Sequence, residues 1–63
     1  MKKLKWETRY KEYYSETKHV DFMIRKSFQF FQLNVKQYLS WNPVACVKKL
    51  KSAKQIAELI NNG

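Results

Sequence analysis

The pattern of apolar and polar residues predicts helical segments, of which the last is the clearest. In residues 42–61, apolar positions recur at alternating spacings of four and three, the spacing of one face of a helix. Asn42 suits the N-cap, Pro43 suits the first helical position, and a capping box at Ser52 leaves open a break near Lys51. The apolar positions are Cys46, Leu50, Ala53, Ala57 and Ile60, widened by Val47 and Ile56.

Residues 21–41 repeat this helical spacing and carry two apolar flanks. Asp21 is a suitable cap for such a helix. Its first flank consists of Ile24, Phe28, Phe31, Val35 and Tyr38, joined by Leu39, and its second consists of Met23, Phe30 and Trp41. A helix with two apolar flanks must bury both, so we expect a homodimer, with the centre of a monomeric core as the alternative.

Residues 3–18 fit both a strand and a helix. Residues 4–11 alternate between apolar or neutral and charged side chains, as a half-buried strand does. A helix instead aligns side chains on one face and pairs Glu7 with Lys11. The residues of that face are Trp6, Tyr10, Tyr13, Tyr14 and Thr17. The only glycine is Gly63, and residues 15–21 between the two segments contain no Gly, Asn-Gly or Asp-Gly, whereas hairpins favour such turns. These observations favour the helix.

These segments predict an all-α fold, a small bundle of two to three helices completed by homodimerisation. Its 63 residues form a single domain, 1–63. So small a core usually needs a disulfide, a metal or a partner subunit, and the lone Cys46 cannot form an internal disulfide. An α+β fold with an N-terminal strand is the alternative.

Composition directs the functional prediction towards polyanions. The chain has 13 Lys and Arg against 5 Asp and Glu, a formal net charge of +8. Such an excess attracts nucleic acid or anionic lipid. No apolar run approaches the roughly 18 residues that a membrane span needs, and no apolar stretch follows the basic N-terminus as in a secretory signal. We therefore expect a cytoplasmic protein without a membrane span.

The residues required for catalysis or cofactor binding are sparse. His19 is the only histidine and Cys46 the only cysteine, so neither a His pair nor a zinc-binding spacing exists. Without internal glycine the chain has no phosphate-binding loop of the glycine-rich kind. We expect neither enzymatic activity nor a metal or cofactor.

Lysines supply the candidate binding site. They form one cluster near the N-terminus and another in the last predicted helix, and lysine contacts phosphates without reading base sequence. The candidate nucleic-acid-binding residues are Lys2, Lys3, Lys5, Arg9, Lys11, Lys48, Lys49, Lys51 and Lys54. Small basic proteins of this kind are typical of phage and mobile-element genomes. We therefore expect a regulatory protein that contacts DNA through lysine-rich helices.

A protein-binding role is the alternative function. In this hypothesis the chain is an inhibitor or adaptor that binds a host or defence protein. It would contact that protein through the flank of Met23, Phe30 and Trp41. The charge would then only steer association.

The segment SAKQIAELINNG, residues 52–63, resembles the first helix and turn of a helix-turn-helix motif. The resemblance covers these 12 residues and implies inward positions for Ile56, Ala57 and Leu59. No residues follow Gly63 in the sequence to supply a recognition helix, so the resemblance assigns no base-reading residue.

Overall fold

The computed structural model describes residues 4–62, which form one antiparallel sheet followed by one helix. The five strands lie side by side in chain order. The elements are β1 (Glu7–Arg9), β2 (Glu12–Glu16), β3 (Asp21–Ser27), β4 (Phe30–Gln37), β5 (Ser40–Val47) and α1 (Leu50–Asn62).

Three of the four strand connections are two-residue hairpin loops without glycine. They consist of residues 10–11, 28–29 and 38–39, and each begins with an aromatic residue at positive φ. The other connection, residues 17–20, is held by its threonine: the Thr17 hydroxyl donates to the Val20 carbonyl at 2.5 Å, and the Val20 amide donates to Thr17 Oγ1 at 3.0 Å. The chain thus turns without glycine at all four connections. Three of the loops begin with an aromatic residue, and the fourth is held by hydrogen bonds of Thr17.

The main core lies between one face of the sheet and α1. Phe22 and Ile24 of β3 pair across the ladder with Val35 and Leu33 of β4, and all four side chains are buried. Ala53 of α1 is fully buried against them, as is Ala57. Small alanine side chains let the helix approach the sheet closely, and the larger β3 and β4 side chains fill the space between.

The face of the sheet opposite α1, called the open face below, has a smaller apolar cluster of its own. Met23 is only 5% exposed there, although no helix or strand of residues 4–62 packs over this face. The rings of Tyr14 and Trp41 meet edge to face above the sheet, with centroids 6.2 Å apart. Tyr14 is in β2 and Trp41 is in β5, on either side of β3 and β4. The two rings therefore meet above the central strands, where Met23 and Asn34 lie.

Edge strand β5 is irregular. Leu33 pairs with Ala45 while Asn34 pairs with Pro43, so Val44 is the extra residue of a β-bulge. A bulge and a proline without N–H both hinder the addition of another strand at this edge.

The predicted all-α fold is wrong, because two of its helices are strands. Residues 21–41 form β3, a hairpin, β4 and the start of β5, and residues 3–18 contain β1 and β2. The N-terminal strand of the alternative is present as β1 (Glu7–Arg9), but it belongs to a sheet that continues through four more strands. Helical spacing was misleading because β3 and β4 bury side chains on both faces, which removes the simple alternation of a strand.

The predicted helix over 42–61 is correct only in its second part. Residues 42–47 belong to β5, and α1 begins at Leu50, near the break that the capping box at Ser52 left open. Asn42 and Pro43 are therefore strand residues rather than a helix start. Within α1, Ile60 is 43% exposed and Leu59 is 72% exposed. The inward position that the helix-turn-helix resemblance implied for Leu59 is wrong.

The two apolar flanks that suggested a dimer are divided between the two faces of the sheet and the hairpin tips, where Phe28, Tyr38 and Leu39 are more than 90% exposed. Phe31 and Val35 lie on the face that α1 covers, and Met23 is covered by aromatic rings on the open face. The helix whose two apolar flanks predicted a homodimer is thus not formed, and only the buried part of each flank is covered within the chain.

Candidate nucleic-acid interface

Both arginines lie on the open face and both are paired with carboxylates. Arg25 Nε donates to Glu12 Oε2 at 2.6 Å across β2 and β3. Arg9 Nη2 lies 2.5 Å from Glu7 Oε2 and 3.9 Å from Glu16 Oε1. The guanidinium groups are therefore engaged within the chain.

Glu12 is the centre of the hydrogen-bonded network on this face. The Tyr14 hydroxyl donates to Glu12 Oε1 at 2.5 Å. This hydrogen bond, together with the one from Arg25, holds the pKa of Glu12 below its ordinary value. The same bond to Glu12, together with burial, raises the pKa of Tyr14. Arg9 extends the network, because its guanidinium carbon lies 5.3 Å from the Tyr14 ring centroid.

The open face is close to electrical neutrality. The alternation of each strand places three basic residues there, Arg9, Arg25 and Lys36, and four acidic ones, Glu7, Glu12, Glu16 and Asp21. Their formal charges sum to −1, from +3 and −4. A polyanion would find little attraction on this face.

The remaining charge of the described residues is strongly positive. Outside the open face, residues 4–62 contain eight lysines and one acid, Glu58, a formal charge of +7 from +8 and −1. Each ion pair between described residues uses an arginine, so these lysines have no carboxylate partner in residues 4–62. The protein thus has one near-neutral face, with the lysine charge distributed around the rest.

Five of these lysines lie at one end of the sheet. The β1–β2 hairpin, the β3–β4 hairpin, the end of β5 and the start of α1 all lie at that end, because the strands alternate in direction. We call this end the basic end; its lysines are Lys11, Lys26, Lys48, Lys49 and Lys51. All five are exposed.

The pairing of residues between strands gives the distances between the lysines of the basic end. Lys26 pairs with Phe31, and Phe31 pairs with Val47, the residue before Lys48. Adjacent strands lie about 4.8 Å apart, so Lys26 and Val47 are separated by about 10 Å. Glu12 pairs with Arg25, which places Lys11 beside Lys26 where β2 begins. The five lysines thus cover a width that matches a few successive phosphates.

Among the described residues, the opposite end of the sheet has fewer lysines and more acids. Lys5 lies beside Lys18 and the last residues of α1 around a shared surface pocket. Glu16 and Asp21, which pair with each other in the ladder, also lie at this end. Among residues 4–62, the exposed lysines are therefore most numerous at the basic end.

The structure separates the predicted nucleic-acid-binding residues. Lys11, Lys48, Lys49 and Lys51 come together at the basic end, while Lys5 lies at the opposite end and Arg9 on the open face. Lys54 packs its ammonium 5.9 Å from the Trp6 ring centroid and 5.4 Å from that of Tyr13. Lys2 and Lys3 lie outside the described residues. Because the fold prediction is wrong, the lysines do not form the helical surface that the sequence suggested.

The predicted protein-contact residues Met23, Phe30 and Trp41 share the open face. Met23 is buried, whereas Phe30 is 41% exposed and Trp41 is 36% exposed. Lys36 lies over Trp41, with its Nζ 5.9 Å from the ring centroid. Two of the three side chains are thus accessible to a partner.

Sequence reasoning missed Lys26 and Phe28. Lys26 belongs to the alternation of Phe22, Ile24 and Lys26 on the α1 side of β3, a signal that the helical interpretation hid. Its Nζ lies 6.0 Å from the Phe31 ring centroid. Phe28 was assigned to a helix face, but it lies at a hairpin tip and is 99% exposed.

Residues 4–62 contain no group of three or more His, Cys, Asp and Glu side chains arranged to hold a metal ion. Within that range no helix is long and apolar enough to cross a membrane.

No protein-family model, curated protein or solved structure matches the chain.

Proposed function

We propose that this chain is a small, non-enzymatic nucleic-acid-binding protein that holds phosphates on the lysines of the basic end. The observation that carries the proposal is the gathering of five exposed lysines, without ion pairs to described residues, at one end of the sheet. Lysine ammonium groups bind phosphates as point charges. Releasing the counterions of those phosphates supplies the binding free energy.

The pairing of both arginines favours contacts to phosphates over contacts to guanine bases. Arginine reads guanine through two hydrogen bonds, but Arg9 and Arg25 are both paired with carboxylates. Contacts would therefore go to the sugar-phosphate backbone, which carries no sequence information directly. Such binding suits an accessory factor in transcription or excision.

A charge-reversal pair tests the location of the surface. Lys48→Glu/Lys51→Glu changes the basic end, and Lys5→Glu/Lys18→Glu makes the same change in net charge at the opposite end. Losing two phosphate contacts weakens binding to a labelled oligonucleotide by about 25-fold or more near ~0.1 M salt. Fluorescence anisotropy should show this loss for the first variant and a much smaller one for the control. Equal losses would place the binding surface elsewhere.

The second candidate function is a protein-binding adaptor or inhibitor, favoured by the accessible aromatic rings of Phe30 and Trp41 on the near-neutral open face. Aromatic side chains are frequent anchors of protein interfaces. Capture from a lysate after nuclease treatment distinguishes the two functions. A stoichiometric protein that binds the parent but not Trp41→Ser would support the adaptor, and loss of every partner with the nuclease would support nucleic-acid binding.

A further inference from the structure

The three two-residue hairpin loops share an unusual first residue. Tyr10 has a φ of 48°, Phe28 of 37° and Tyr38 of 59°. This left-handed region costs a residue with a Cβ roughly 1–2 kcal/mol, and hairpins normally place Gly, Asn or Asp there. The turns themselves therefore do not explain the aromatic residues.

Packing does not explain them either. The exposed fractions are 98% for Tyr10, 99% for Phe28 and 99% for Tyr38. A side chain this exposed contributes almost no burial to folding. Each ring is instead presented to solvent at the tip of a two-residue hairpin loop, where a ligand can reach it.

Two of the three rings lie at the basic end. Tyr10 immediately precedes Lys11, and Phe28 lies two residues beyond Lys26 on the same hairpin. Phe28 and Tyr10 sit on hairpins separated by about two strand spacings, or about 10 Å. Tyr38 lies at the opposite end, where it lines a surface pocket with Lys18 and Lys36. The basic end thus combines lysines for phosphates with flat rings for bases.

We propose that Phe28 and Tyr10 stack on unpaired bases of a single-stranded nucleic acid whose phosphates are held by the lysines of the basic end. The inference rests on the proposed function and specifies its ligand. Single-strand binders combine a positive surface with exposed aromatic rings, and stacking tolerates any base because every base has a π-face. In a duplex the faces of the internal bases are covered by their neighbours, so the rings gain these contacts only from a single strand.

Asparagine substitutions test the rings without disturbing the turns. Phe28→Asn removes the ring while keeping a residue that tolerates positive φ, and Tyr38→Asn is the matched control at the opposite end. Circular dichroism should show unchanged folding in both. The probes are a labelled oligothymidylate and a labelled oligouridylate of about 12 nucleotides, and a duplex of similar length.

We expect Phe28→Asn to weaken binding to the single strands by about 5- to 100-fold, the range for loss of one stacked base, and Tyr38→Asn to leave it unchanged. Phe28→Tyr, which keeps a ring, should restore most of the affinity. The two single-stranded probes distinguish DNA from RNA as the source of the bases. Unchanged single-strand affinity in Phe28→Asn would overturn the stacking proposal, as would an equal loss in Tyr38→Asn.

Binding of the variants to the duplex probe distinguishes base stacking from other roles of the ring. If Phe28→Asn weakened duplex binding as strongly as single-strand binding, the ring would act as a wedge between base pairs, and the single-strand proposal would be wrong. If Lys48→Glu/Lys51→Glu abolished binding while Phe28→Asn had no effect, the phosphate surface would stand and only stacking would fail. Indifference to both substitutions would refute the proposed function itself.

Discussion

Glu12 connects three side chains on the open face, and its environment makes stability depend on pH. Tyr14 and Arg25 both donate hydrogen bonds to its carboxylate, which lowers its pKa in the folded state. A lowered pKa stabilises the fold above the ordinary value of about 4.3, and this contribution is lost as pH falls through the folded pKa. The opposite sign holds for Tyr14, whose raised pKa stabilises the fold until pH rises through that pKa.

Glu12→Gln should therefore flatten the acid limb of the stability curve. We expect the parent to lose stability from Glu12 below about pH 4.3, and the variant to lack that component. Because Arg25 is 58% exposed, the difference at neutral pH should be about 1 kcal/mol or less. Urea denaturation across the acid range measures it, and identical acid limbs would show that Glu12 does not contribute.

Individual residues also explain why the proposed binding surface differs from the one that the sequence predicts. Lys11, Lys48, Lys49 and Lys51 were predicted from charge alone, because exposed lysines remain exposed in almost any fold. Lys26 was not, since its position depends on a strand alternation that the helical spacing concealed. Arg9 was assigned to the site because sequence does not reveal its partners Glu7 and Glu16.

At the scale of elements, the helix was predictable and the strands were not. The apolar residues Leu50, Ala53 and Ala57 recur at helical spacing on a single face, and this spacing identifies α1. β3 and β4 bury residues on both faces, and their hairpin begins with Phe28 instead of glycine. The strongest local signals for a hairpin are therefore missing from this sequence.

The contact between α1 and the sheet should dominate the stability of the fold. Leu33 is fully buried beneath α1, whereas Leu59 lies on the same helix as the core alanines but is 72% exposed. Leu33→Ala should lower the free energy of unfolding by about 2–5 kcal/mol. Leu59→Ala removes the same atoms and should change it by about 0.5 kcal/mol or less.

Urea denaturation of the two leucine variants is the measurement. A domain of this length typically has a total stability of about 3–9 kcal/mol, so Leu33→Ala should be largely unfolded or close to it. Similar midpoints for the two variants would contradict the assigned packing of α1.

At the scale of the whole molecule, charge and apolar surface are separated. The open face is near neutral, the basic end carries five exposed lysines, and the core between the sheet and α1 is buried within the chain, while the largest exposed apolar side chains lie at the hairpin tips. These features favour a protein that meets a polyanion end-on and needs no second subunit to bury its core.

We therefore expect the chain to be monomeric in the absence of nucleic acid. Light scattering coupled to size-exclusion chromatography should give a mass near 7.7 kDa. A stable mass of twice that value, lost in Trp41→Ser, would instead assign the open face to a homodimer.

The salt dependence of binding tests the central claim most directly. For a single strand held by five lysines, log K should fall against log salt with a slope of about −3.5, and Lys48→Glu/Lys51→Glu should reduce its magnitude to about 2. Lys5→Glu/Lys18→Glu should keep nearly the parent slope. A parent slope near zero, or the same slope in both variants, would contradict phosphate binding at the basic end.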